Sequence, residues 1–140
     1  VGILDGGLAT ELEQRGADLS GHLWSARLLV ENPDLIRSTH EAYFSAGADI
    51  GISASYQASV TGFQKLGLNG AEAETMIRRS VEILKDARDN SWETLRQTGR
   101  QRPLAAASIG SYGAYLADGS EYSGEYGLSV GDLKEFHRER

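Results

Sequence analysis

A chain of 140 residues, 40% hydrophobic and 24% charged, has the size and balance of one globular domain, and its net charge of −6 lacks the basic face through which nucleic-acid binders release counterions. No apolar run approaches the roughly 20 residues of a membrane helix and no basic-then-apolar leader opens the chain, so neither nucleic acid nor membrane is expected as a partner, and a cytoplasmic location is. The absence of cysteine removes disulfides, thiolate nucleophiles and cysteine-held zinc together.

Val1, Ile3 and Leu4 read as the end of a buried strand, with Asp5 at its carboxyl end, where α/β folds place their chemistry. Leu8, Leu12 and the Gln14-Arg15-Gly16 ending predict a helix that stops at glycine. Between them, Asp5-Gly6-Gly7 has two readings. Asp5 could pair a substrate ammonium while glycine N–H groups at the helix start receive a carboxylate. Alternatively, Asp5 is a helix cap and the glycines supply φ freedom in a tight turn. The spacing is not a dinucleotide fingerprint, and Glu11 has no visible partner for general-base work. The histidines His22, His40 and His137 are far apart and read as surface or packing residues rather than metal ligands.

Asn32-Pro33-Asp34 is a helix start, and Leu35, Ile36, Thr39, Tyr43 and Phe44 recur on one face until Gly47. Residues 48–54 then read as a buried strand whose carboxyl end releases Ser55-Tyr56-Gln57-Ala58-Ser59. Asn69 and Glu72 form a capping box for a long helix from about Gly70 toward Gln97, terminated at Gly99. Arg96, Arg100 and Arg102 read as the solvated end of that helix rather than an anion site.

Leu104–Ile109 predicts a third strand, followed by eighteen residues, 110–127, without a period. Tyr112, Tyr115, Tyr122 and Tyr126, with Asp118, Glu121 and Glu125, could surround a cationic ligand through ring faces and carboxylates, or the rings could pin the loop by packing. Ser129, Val130, Leu133 and Phe136 begin another helix. The alternation of strand and helix indicates an α/β fold with parallel pairing. Three such strands leave buried-type edges open, which suggests the first part of a larger barrel, and the opening Val suggests a start upstream. No serine or histidine assembles a nucleophile with its base.

Asp5 to Leu12, Leu23-Trp24-Ser25-Ala26, residues 31–37, Ser55 to Ser59 and Tyr112 to Tyr122 together resemble the homocysteine S-methyltransferase family, closest to the branch using S-methylmethionine or S-adenosylmethionine. The resemblance extends over nearly the whole chain. It implies a (β/α)8 TIM barrel, of which residues 1–140 would be the first three β/α units, the amino-terminal part of a single homocysteine-binding domain. The implied reaction moves a methyl group from a sulfonium donor to homocysteine to form methionine.

Zinc in the family is held by three cysteines on later strands, so neither metal ligands nor catalytic residues are expected here, and the piece alone is expected to be inactive. By motif, Asp5 matches the carboxylate that holds the homocysteine amino group, with Gly6 and Gly7 adjoining. Tyr56 and Gln57 lie at the rim after the second strand, and Tyr115, Glu121 and Tyr122 are the candidates in the tyrosine segment. Ser111 stands where relatives commonly have proline, which leaves the entry to that segment less rigid. Oligomeric state is left open. The competing reading is a non-catalytic amino-acid-binding or assembly module.

Overall fold

The computed structural model describes residues 1–19, 23–138 and 140, without the Trp24 side chain; His22 lies outside the described residues. β1 (Ile50–Ile52) pairs in parallel with β2 (Leu104–Ala106), in the register Ile50 to Leu104, Gly51 to Ala105 and Ile52 to Ala106. On the other side of β1, Leu4 forms a single parallel bridge to Ile50. The Ile3 carbonyl accepts from the Asp49 and Ile50 N–H groups at 2.7 and 3.1 Å, and the Asp5 N–H donates to the Ile50 carbonyl at 2.9 Å. Asp5, the residues after Ile52 and those after Ala106 therefore emerge at one end of the sheet.

The buried first strand expected at Val1–Leu4 is corrected: Ile3 is 58% and Leu4 53% exposed, because the segment pairs on one side only and no described element covers its apolar side chains. Leu104 and Ile109 are likewise exposed, and the third strand closes after three residues.

Several of the helices start on a side-chain cap. α1 (Leu8–Gln14) ends ahead of Gly16, whose φ is +89°. α2 (Trp24–Glu31) leads into α3 (Pro33–Ala46), where the Asn32 side chain accepts from the Leu35 N–H at 3.2 Å and Gly47 closes the helix with a φ of +117°. α4 (Val60–Lys65) starts on a Ser59 cap. α5 (Gly70–Leu95) has both halves of its capping box: Glu72 Oε2 accepts from the Asn69 N–H at 2.7 Å and Asn69 Oδ1 from the Glu72 N–H at 3.0 Å. A 3₁₀ turn, Arg96–Thr98, carries it to Gly99 in the left-handed region. α6 (Tyr112–Leu116) and α7 (Val130–Arg138) follow β2.

α3 and α5 pack against each other and against the sheet, burying Phe44, Ala48, Leu84 and Ala87. Gly51 of β1 lets Phe44 and Leu84 close over the backbone: an ideal Cβ there would lie 2.6 Å from Phe44 Cζ and 2.8 Å from Leu84 Cδ1. A second core of Leu12, Leu29, Ile36, Phe63 and Ile83 joins the shorter helices to α5. No helix among the described residues is long and apolar enough to cross a membrane.

The reading of Arg100 as solvated is also corrected, whereas Arg102 is exposed as expected. Arg100 Nη2 donates to Asp49 Oδ1 at 2.7 Å and to the Gly47 carbonyl at 2.8 Å, while Asp49 Oδ2 accepts from the Ile3 N–H at 2.9 Å. These bonds hold the Asp49 carboxyl below its ordinary pKa, the Ile3 amide contributing most. Arg102 reaches Asp89 at 2.6 Å. The end of α5 is thereby tied to the amino-terminal side of the sheet.

Candidate functional site

Asp5 sits where the Leu4 segment runs out beside β1. Its Oδ2 accepts from the Ile52 N–H at 2.8 Å, occupying the ladder position that a backbone carbonyl would otherwise fill. Among the described residues nothing donates to Oδ1. Burial raises the carboxyl's pKa and the Ile52 bond partly offsets that rise, so this is a half-buried anion with one oxygen fixed and one open.

The next two residues owe their identity to space rather than to φ. Neither Gly6 nor Gly7 has positive φ, and α1 has no side-chain cap, which corrects the turn reading in both its parts. The Tyr43 ring covers Gly6, with Cε1 3.0 Å and Oη 3.1 Å from an ideal Cβ, and the Tyr43 hydroxyl donates to the Gly7 carbonyl at 3.1 Å. Burial, then the charges of Glu11 and Asp5, raise the Tyr43 pKa and keep it a donor. The sequence places Tyr43 on the inward stripe of its helix but carries no signal of a partner 36 residues away.

After β1 the chain enters a polar, buried stretch. Ser53 and Ser55 Oγ lie 2.6 Å apart, Ser55 Oγ donates to the Ser108 carbonyl at 2.8 Å, and the Ser108 N–H donates to Ser53 Oγ at 3.0 Å. Because the single Ser55 proton goes to Ser108, Ser53 must donate to Ser55. The three residues close a ring that joins the exits of β1 and β2. Gln57 is 4% exposed, and its Nε2 and Oε1 are both buried with no partner among the described residues. Such an amide is costly unless something else satisfies it. Tyr56 is exposed, and its carbonyl lies so near Gly110 that a Cβ there would overlap it.

The segment read as an aperiodic loop contains α6 and a 3₁₀ turn, Ser120–Tyr122. Five-residue helices leave too short a period to detect. Ser111 caps α6 by accepting from the Ala114 N–H at 3.3 Å. Tyr112 is the hub of the aromatic residues, with centroids 5.7 Å from Tyr115, 5.6 Å from Tyr126 and 5.0 Å from Phe136. Lys65 Nζ lies 4.8 Å from the Tyr115 centroid, so a cation of the chain already faces that ring. Asp118 accepts from the Ser120 N–H at 2.9 Å and shapes the turn. Glu121 presses its backbone on Gly113 and leaves Oε2 buried with no partner among the described residues, whereas Tyr122 is 90% exposed.

Asp5, Tyr56 and Gln57 thus share one end of the sheet, Tyr115 belongs to a packed aromatic cluster, and Tyr122 points away from it. A cleft of about 410 Å³, lined by Ser55, Ile77, Val81, Ile109 and Arg140 among others, lies beside α5, and none of the nominated site residues lines it. His40 is fully buried with neither ring nitrogen partnered, and burial pushes its pKa down to about 4. It is a packing residue. Among the described residues no three His, Asp or Glu side chains converge to hold a metal, and with no cysteine the chain's own residues do not fit a zinc ion.

A family model described as homocysteine S-methyltransferase matches residues 2–140. The chain is 52% identical over 139 residues to homocysteine S-methyltransferase YbgG of Bacillus subtilis (strain 168), and 52% identical over 143 residues to homocysteine S-methyltransferase 1 of Zea mays. Each alignment takes in 99% of this chain and 44% of the relative. The crystal structure of the homocysteine methyltransferase MmuM from Escherichia coli, metallated form, superimposes with a TM-score of 0.91 at 50% identity, over 99% of this chain and 48% of that one. The chain spans less than half the length of the curated relatives it matches.

Proposed function

The chain belongs to the homocysteine S-methyltransferase family, and from that membership we propose that residues 1–140 are the amino-terminal part of a (β/α)8 barrel enzyme that methylates homocysteine. The observation that carries this reading is the Asp5 carboxylate at the carboxyl end of the parallel sheet, with Oδ2 held by Ile52 and Oδ1 open. Barrel enzymes place substrate groups at that end of their strands.

In this reading Oδ1 receives the ammonium of homocysteine. Partial burial weakens competition from water and strengthens the attraction, and the arriving cation relieves the desolvation that raises the carboxyl's pKa. Tyr43 holds the Gly6-Gly7 backbone flat beside Asp5, which leaves room for the rest of the amino acid. Gln57 offers a buried donor and acceptor to the substrate, with Tyr56 at the rim. A cationic donor, S-methylmethionine or S-adenosylmethionine, would meet the exposed Tyr122 ring and the Glu121 carboxylate, and would displace Lys65 to reach the Tyr115 face that it covers. As the methyl group moves, a bond forms between the homocysteine sulfur and the methyl carbon while the donor's sulfonium–carbon bond breaks. The homocysteine thiol gives up its proton to solvent and the donor leaves as a neutral thioether. In this reading zinc, held by residues of later strands, would lower the pKa of that thiol.

The test uses the full-length protein that carries this chain, incubated with homocysteine and each sulfonium in turn, with methionine measured. Formation of methionine with at least one donor supports the reading. Homocysteine binding without turnover would favour the binding-module alternative. Residues 1–140 alone are expected to give no turnover.

A further inference from the structure

One side chain outside the proposed substrate contacts spans the exits of both strands. Arg140 donates from Nη1 to the Gly110 carbonyl at 2.9 Å, and from Nη2 to the Ser55 and Tyr56 carbonyls at 3.2 and 3.1 Å. Ser55 and Tyr56 lead into Gln57, and Gly110 leads into the Ser111 cap of α6. The two backbones are already in contact, since any side chain on Gly110 would overlap the Tyr56 carbonyl. Among the described residues no carboxylate pairs with Arg140, so its charge is met by carbonyl dipoles. Its guanidinium also lies 5.5 Å from the Phe136 centroid, and Phe136 packs on Tyr112 and Tyr115 at 5.0 and 5.3 Å. A planar fork with several fixed donors can serve two segments and stack on a ring at once, which an ammonium cannot do.

We propose that Arg140 is a positioning residue that locks the exit of β1 to the exit of β2, so that Tyr56, Gln57 and the tyrosine segment face the substrates as one surface. Its effect on turnover rests on the homocysteine S-methyltransferase reading, while the clamp itself does not.

The experiment compares Arg140→Ala and Arg140→Lys with the parent in the full-length protein, by amide hydrogen exchange and by steady-state kinetics. The Ala58 N–H, bonded to the Ser55 carbonyl, and the Ala114 N–H, bonded to Ser111, report the two exits. In Arg140→Ala both should exchange about tenfold faster while α3 amides keep their rates, because hydrogen bonds to a charged group are among the stronger ones. KM for homocysteine should rise by about tenfold with a much smaller change in kcat, and added guanidinium ion should restore part of it. Arg140→Lys should show a smaller rise at both reporters, and it carries the test where the alanine variant does not fold. Unchanged exchange at Ala58 and Ala114 overturns the clamp, and a KM within about twofold of an active parent overturns its positioning of the substrate surface. A parent that transfers no methyl group overturns the functional reading instead, and exchange alone then decides on Arg140.

Discussion

The Tyr43 ring fills the volume that a side chain on Gly6 would occupy, its Cε1 3.0 Å from an ideal Cβ, while its hydroxyl donates to the neighbouring Gly7 carbonyl. A residue of α3 therefore shapes the turn that carries Asp5. Gly6→Ala should push the ring aside and weaken homocysteine binding. Tyr43→Phe, which keeps the ring and loses one partly exposed hydrogen bond, should cost no more than about 1 kcal/mol of stability. Calorimetric titration with homocysteine and urea unfolding on both variants separate the two effects.

Gly51 is a packing requirement of the same kind, deeper in the fold. A methyl group there meets Phe44 and Leu84 at 2.6 and 2.8 Å, and both are fully buried. Overpacking of this sort costs about 1–3 kcal/mol, so Gly51→Ala should lower the urea midpoint by a corresponding amount with an unchanged slope.

His40 makes stability pH-dependent in one direction. Its pKa is about 4 in the folded chain against 6.5 for the free side chain, so between those values the unfolded chain binds the extra proton. The contribution of neutral His40 is complete above pH 6.5 and disappears as pH falls toward 4, a loss of roughly 3 kcal/mol. His40→Leu should flatten this part of the stability profile measured by chemical unfolding. A profile as steep as the parent's would assign acid sensitivity to other groups.

The tyrosines divide by their packing. Tyr112 contacts Tyr115, Tyr126 and Phe136, whereas Tyr122 is 90% exposed. Tyr112→Ala should cost about 1–3 kcal/mol, as expected for losing a partly buried aromatic hub. Tyr122→Ala should leave stability within about 0.5 kcal/mol and raise the donor KM if Tyr122 touches the sulfonium. An unchanged donor KM would leave Tyr122 as surface only.

Much of this architecture is legible in the sequence because caps and stripes are local. Asn32-Pro33, the Asn69–Glu72 pair, Gly47 and Gly99 mark helix ends through chemistry within four residues, and the structure has each of them there. α2 and α4 are not legible for the converse reason: α2 begins after Leu23 in a left-handed conformation with no side-chain cap, and α4 contains Gly62, which is retained because Leu23 packs on it. The position of Asp5 is readable as a strand end, but its bond to Ile52, the Tyr43 cover and the Arg140 clamp join residues 30 to 85 positions apart. No spacing rule reaches that far. The solvated reading of Arg100 failed likewise, since Asp49 lies 51 residues away.

If Asp5 holds the homocysteine ammonium, Asp5→Asn should weaken homocysteine binding without disturbing the fold, because the amide oxygen can still accept from Ile52 while the charge is gone. In the full-length protein at fixed zinc and pH, calorimetry should find homocysteine affinity reduced by tenfold or more, about 1.4 kcal/mol for each decade, with the unfolding temperature little changed. Unchanged affinity in a folded Asp5→Asn protein would contradict the account.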